Sequence, residues 1–188
     1  MQATDPVMGT DAILLKRLQR GDNDAWGQVT REYSPRLFGY LRQNLPTAED
    51  AEDVLSETMA ASVRAVLNFD GRAALSTFLY AIAYRKVADF WRRSGSATSS
   101  LDNEAEGHEL AQHDPDVHDR MDFEEALNRL PELSRQVLLL RYQVGLGVDE
   151  IAEVVDRSYK GTESLLSRAR AQLREAMKGV HGDVATAD

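Results

Sequence analysis

Between Ala51 and Val66 the chain keeps one spacing: Ala51, Val54, Leu55, Thr58, Met59, Ser62, Val63 and Val66 follow one another at three- and four-residue steps. That period puts all eight on one side of a helix, and a helix with one apolar side has to pack against a neighbour. Thr47 with Asp50 three residues later is close to a capping box for this helix, and Pro46 stops the one before it. Asp50, Asp53 and Glu57 share the outer side. They belong to five carboxylates that precede Ala60, with no basic residue until Arg64.

The same period runs through most of the chain. Residues 1–10 read as a frayed tail, and Thr10 or Asp11 caps a first helix through Ile13, Leu14 and Leu18 that Gly21 ends. Asn23 or Asp24 caps a second helix through Trp26, Val29 and Tyr33. Ser34-Pro35 then restarts the chain as a third, with proline in the first helical position and a stripe of Leu37, Tyr40, Leu41 and Leu45. Phe69-Asp70-Gly71-Arg72 reads as a turn. A helix from about Ala74 to Arg93 follows, with Leu75, Phe78, Leu79, Ile82, Val87 and Phe90 for its core face.

Ser94–Ser100 is a polar break, and the acidic stretch Leu101–Asp119 has no apolar periodicity with which to pack. Beyond it Phe123, Ala126, Leu127 and Leu130 open a second unit, which halts at Pro131 and resumes through Val137, Leu138 and Leu140. Gly145 and Gly147 mark a turn. A short helix Val148–Val155, a connection Asp156-Arg157-Ser158 and a longer helix from Tyr159 to about Lys178 close the pattern. The expected fold is all-α: two small helical domains, 11–93 and 122–178, joined over 94–121 by a flexible acidic linker, with a helix-turn-helix in the second.

The net charge of -9 argues against a nucleic-acid partner only until it is located. Leu101–Ala126 holds ten carboxylates against Arg120, so the remainder of the chain is neutral. Near the end, Arg157, Lys160, Arg168, Arg170, Arg174 and Lys178 oppose only Glu163 and Glu175, a footing for phosphates. The absence of cysteine excludes disulfides and thiolate metal sites, and four scattered histidines disfavour a zinc site. No glycine-rich phosphate loop, nucleophile motif or metal spacing is present, so no catalytic residue, metal or cofactor is expected. The start of the chain lacks the pattern of a signal peptide, and no apolar run reaches the roughly 18–20 residues of a membrane span. A cytoplasmic protein without membrane insertion is expected.

Three surfaces carry chemistry, and each has two readings. Asp50, Asp53 and Glu57 form either a solvated face, stabilised near the helix start by its dipole, or a docking face for a basic partner. Aromatic residues beside Arg85, Lys86, Arg92 and Arg93 are either core rings with a basic helix end, or a stacking platform with cations for a single strand. Two helices joined by a tight connection, the second basic, are either a helical hairpin or a reader of the DNA major groove.

These segments together resemble a small sigma-70-family factor of the extracytoplasmic-function (ECF) group, and the resemblance covers nearly all of residues 11–177. Ala51-Glu52-Asp53-Val54-Leu55-Ser56-Glu57-Thr58 is similar to the acidic segment that, in that family, docks on the coiled coil of the polymerase beta-prime clamp. Phe69-Asp70-Gly71-Arg72 through Thr77-Phe78-Leu79-Tyr80-Ala81-Ile82-Ala83 is similar to its promoter-melting and minus-ten segment. Ala126-Leu127-Asn128-Arg129-Leu130-Pro131, through Glu150-Ile151-Ala152 to Ser167-Arg168-Ala169-Arg170, is similar to its minus-thirty-five helix-turn-helix.

The resemblance implies a transcription initiation factor whose partners are core RNA polymerase, at its beta-prime clamp and beta flap, and promoter DNA, both double-stranded and melted. It implies polymerase contacts at Asp50, Asp53 and Glu57. It places Phe69, Asp70, Gly71, Arg72, Ala73, Ala74 and Leu75 around an extruded base of the minus-ten element, with Arg85 on the same strand. It assigns Arg157, Ser158, Tyr159, Lys160, Glu163, Ser164 and Arg168 to the minus-thirty-five duplex, and it leads to the expectation of an anti-sigma partner. The chain departs from the pattern where Glu163 and Leu165 stand at two habitual cations, where Phe78 replaces a common tryptophan and where Gly147 replaces a capping serine. Two other readings are a free-standing helix-turn-helix regulator and a decoy that sequesters an anti-sigma protein.

Overall fold

The computed structural model describes residues 6–97 and 123–184, with side chains over 12–95 and 123–178. Every regular element among them is helical. In the first unit, α1 spans Pro6–Gln19, α2 Asn23–Arg42 and α3 Ala48–Ala65, prolonged by a 3-10 turn Val66–Asn68, and α4 spans Leu75–Ala97. In the second, α5 is described over 123–128, α6 spans Glu132–Leu139 and runs into a π turn Leu140–Val144, α7 spans Val148–Val154 and α8 Tyr159–Val184. The all-α expectation holds. Of the linker expected over 94–121, residues 94–97 belong to α4 and the rest lies outside the described residues.

Local chemistry accounts for most helix ends. Thr47 caps α3, its Oγ1 accepting from the Asp50 amide at 3.0 Å and donating to Asp50 Oδ2 at 2.6 Å. The cap of α2 is Asp22, one residue ahead of the expected pair. Gly21, at φ +74°, leaves α1 in the left-handed region, and Asp22 Oδ1 then accepts from the amides of Asp24 and Ala25. Arg17 donates to Asp22 Oδ2 at 2.7 Å and holds that carboxyl below its ordinary range.

Two expected boundaries are corrected. The first helix begins at Pro6 rather than at residues 10–11, since proline is tolerated where the amide has no helical partner anyway. Ser34-Pro35 does not restart the chain; α2 runs unbroken through Pro35. Proline removes one hydrogen bond there, but Val29 before it and Leu37, Tyr40 and Leu41 after it are all fully buried in the same core. Burying four large side chains, at roughly 1.5–3 kcal/mol each, outweighs one lost bond.

In the first unit α3 lies against both α2 and α4. Leu18, Val54, Leu79 and Val87 meet between them with 2% or less of their surface exposed. In the second unit α6 and α7 pack on α8 through Val137, Ile151, Leu165, Leu166 and Ala169. The units meet along a seam of α4 against α7 and α2 against the α6 region. Tyr40 Oη donates to Gln136 Oε1 at 2.8 Å, and Thr77 Oγ1 donates to Glu150 Oε1 at 2.9 Å. The carbonyl of Asn44 accepts from Trp91 Nε1 at 3.0 Å and from an Arg135 terminal nitrogen at 3.4 Å. Arg135 Nε and Asn44 Oδ1 are buried in this seam without a hydrogen-bond partner among the described residues.

Candidate nucleic-acid interface

The acidic face is half of a groove. Asp50, Asp53 and Glu57 line it from α3, and Phe90 and Arg93 line it from α4. Asp53 is exposed, Asp50 is tethered by Thr47, and Glu57 is paired inside the chain. Lys86 Nζ donates to Glu57 Oε2 at 2.9 Å, and an Arg93 terminal nitrogen stands 3.8 Å from Glu57 Oε1. The Lys86 hydrogen bond is the main reason the Glu57 carboxyl sits below its ordinary range. One of the two readings of the sequence makes Lys86 and Arg93 cations for a nucleic-acid strand; in the fold both stand against Glu57. Periodicity along one helix carries no information on which neighbouring helix its basic residues face.

The loop from Phe69 to α4 is shaped by four local features. Phe69 stacks on Phe78 with ring centroids 4.4 Å apart and 25° between planes. Gly71 has φ +74°, a conformation that a side chain would strain. Asp70 accepts from the Arg72 amide at 3.1 Å, and its other oxygen pairs with Arg72 Nε at 3.1 Å. The carbonyl of Ala74 accepts from the Phe78 amide and starts α4. Asp70, Gly71, Arg72 and Ala74 are exposed, Phe69 and Ala73 half-buried. Leu75, grouped with them by sequence, is buried to 5% and belongs to the core. Arg85 is exposed and donates to the carbonyl of Ala81 at 3.0 Å.

In the second unit the turn between α7 and α8 is closed by Asp156 at φ +52° and by the Arg157 amide donating to the carbonyl of Ala152 at 2.9 Å. Ser158 starts α8, its Oγ accepting from the Gly161 amide at 3.2 Å. Arg157, Ser158, Tyr159, Lys160, Glu163, Ser164 and Arg168 are all exposed, while Thr162, Leu165, Leu166 and Ala169 are buried. Leu165, flagged as a missing cation, is therefore an inward residue, and the one acidic departure on the outer face is Glu163. Gly147 has no side chain with which to cap α7; Glu150 Oε2 accepts the Gly147 amide at 2.8 Å in its place. The stacking of Phe78 on Phe69 and the place of Phe90 and Arg93 in the acidic groove were not legible in the sequence, because each needs a contact between distant segments to be recognised.

Among the described residues no helix is long and apolar enough to cross a membrane. The family description Sigma-70 region 2 matches residues 29–97, and Sigma-70, region 4 matches residues 120–173. The chain is 30% identical over 179 residues to the RNA polymerase sigma factor NccH of Alcaligenes xylosoxydans xylosoxydans, covering 90% of this chain and 95% of that one. It is 26% identical over 183 residues to the ECF RNA polymerase sigma-E factor of Haemophilus influenzae, covering 90% and 96%. Its fold is similar to that of the sigma factor RpoE of Bartonella quintana, solved with the anti-sigma factor NepR, at a TM-score of 0.68 and 22% identity over 81% of this chain and 96% of that one. Both halves of the chain match in the family's order and over nearly the whole length of its relatives, and the chain belongs to the sigma-70 family as an RNA polymerase sigma factor of the ECF group.

Proposed function

We propose that the α3–α4 groove docks core RNA polymerase, that the Phe69–Leu75 loop with Arg85 holds a melted minus-ten strand, and that the outer face of α8 reads the minus-thirty-five duplex. The observation that carries this reading is the adjacency of the first two surfaces on one helix pair. A carboxylate-rich groove suits a basic protein surface, and a loop reached along the same α4 then lies beside whatever DNA that protein holds open. Extruding a base costs a few kcal/mol, which stacking and edge hydrogen bonds in a preformed loop offset. On this reading Leu75 supports the loop from the core, and Phe69, Asp70, Gly71, Arg72, Ala73 and Ala74 form its wall.

On α8, Lys160 and Arg168 supply phosphate or base-edge contacts, and exposed Glu163 accepts from a cytosine amino group. The chain performs no bond chemistry of its own and acts in the cytoplasm, where polymerase and chromosome are. The solved relative with NepR supports an anti-sigma partner for this chain as well.

The test is transcription by the full-length chain with purified core polymerase, followed by sequencing of the transcripts. Discrete start sites that core alone does not produce are expected. Reversing Asp53 and Glu57 together to lysine is expected to weaken polymerase binding on the order of 30- to 100-fold. Unaltered binding by that double variant would move the docking site elsewhere.

A further inference from the structure

We infer that Gln19 on α1, outside the segment that matches Sigma-70 region 2, is a positioning residue for the strand-reading loop. The inference rests on the role proposed above for Phe69–Leu75. Gln19 Nε2 donates to two carbonyls far along the chain, Val66 at 3.1 Å and Phe69 at 2.9 Å. Those carbonyls bracket the 3-10 turn that delivers the chain into the loop, and the Phe69 amide donates to the same Val66 carbonyl at 3.1 Å. One amide side chain thus ties both ends of a turn whose middle residues, Leu67 and Asn68, are exposed.

A second contact comes from the same face of α1. Leu15, four residues before Gln19, lies under Gly71, where an added Cβ would come 2.8 Å from Leu15 Cδ2. Phe69 is therefore held at its carbonyl by Gln19 and at its ring by Phe78, and Gly71 rests on Leu15. α1 forms the back of the loop. A loop that receives an extruded base binds it more tightly when its shape is set beforehand, because less conformational entropy is lost on contact. The position needs a donor of this length: both partners are carbonyl oxygens, and a carboxylate in place of the amide would meet them as acceptor against acceptor.

The experiment uses the full-length chain assembled with core polymerase and a premelted fork template carrying each of the four bases in turn at the extruded position. For Gln19→Ala, polymerase affinity within about twofold of wild type is expected, with fork affinity about tenfold lower and the preference among bases reduced by a similar factor. Gln19→Glu is expected to lose at least as much. The inference is overturned if fork affinity and base preference are unchanged. It is equally overturned if affinity falls alike for all four bases, or if polymerase binding falls with it, since a purely structural role would do either. A wild-type chain with no base preference would sink the underlying assignment of the loop; a preference that survives in Gln19→Ala would sink the role of Gln19 alone.

Discussion

The loop on the first unit and the outer face of α8 on the second, the two surfaces proposed to meet nucleic acid, are built in opposite ways. Phe69, Asp70, Gly71 and Arg72 are fixed by a stacked ring pair, an ion pair, a left-handed glycine and a hydrogen-bonded turn before any ligand arrives. On α8 the corresponding residues stand exposed; among the described residues Ser164 and Arg168 bond to backbone carbonyls one turn back, at 3.0 and 3.4 Å. A single extruded base must be caught in one conformation, so rigidity is useful. A duplex offers its phosphates at regular intervals, and long side chains on a helix can adapt to them. The first design concentrates its effect in a few residues, and the second spreads it over many.

The largest test of that contrast is Gly71→Val. A β-branched residue at φ +74° is strained on the order of 2 kcal/mol, and its Cβ would press on Leu15. Fork-template binding is expected to fall more than tenfold, with binding of the minus-thirty-five duplex unchanged, both read by fluorescence anisotropy. A loop that tolerates valine would not be preformed. A smaller effect is expected from α8, where Arg168→Ala should weaken duplex binding roughly fivefold and flatten its salt dependence by about one counterion. Glu163→Gln should act in the opposite sense on generic duplex, strengthening it by about twofold, because a carboxylate near phosphates is repelled. A loss on generic duplex for Glu163→Gln equal to that of Arg168→Ala would overturn the repulsion assigned to Glu163 there.

The smallest effect lies at the seam joining the two regions. Burial pushes the Glu132 carboxyl above its ordinary value, against the opposing pull of Arg135 and a hydrogen bond from Gln136. A carboxyl raised on folding contributes its full stability below the unfolded pKa near 4.5 and loses it as pH rises through the higher folded value. Glu132→Gln is therefore expected to raise the melting temperature by about 1–3 °C at pH 7, with the difference closing as pH falls toward 4. A difference that grows on acidification would reverse the sign assigned to this group.

Elements governed by neighbours in sequence were legible, and elements governed by neighbours in space were not. The Thr47 cap, the turn at Gly71 and the connection between α7 and α8 each depend on residues within five positions, and the sequence pattern locates them. Pro35 misleads because a lone proline removes one hydrogen bond, whereas the core beneath α2 decides whether the helix continues. Lys86 carries the same charge whether it faces a strand or Glu57, 29 residues away in sequence. Leu165 occupies a habitual cation position, yet its spacing with Leu166, Ala169 and Leu173 already sets it on the inner face of α8, and its burial agrees with that spacing. The pairing of Gln19 with carbonyls 47 and 50 residues later leaves no local trace at all.

Thr77 and Glu150 touch across the seam, on two helices that each adjoin a surface assigned to promoter DNA. Elements centred at minus ten and minus thirty-five lie about 25 base pairs apart, roughly 85 Å along a duplex that rises 3.4 Å per step. Helices in contact do not reach across that length, so under the proposed assignment of the two surfaces one molecule would engage both elements only after its halves separate. A chain that is open one time in a hundred meets the complete promoter with an apparent dissociation constant about a hundredfold weaker than its open form has. Arg135 Nε and Asn44 Oδ1, buried in the seam without a hydrogen-bond partner among the described residues, leave an incompletely paired network that would cost less to open than a satisfied one, and the open fraction would be the idling level of the unattached chain. Energy transfer between dyes on α4 and α7, with and without polymerase, reads that level directly.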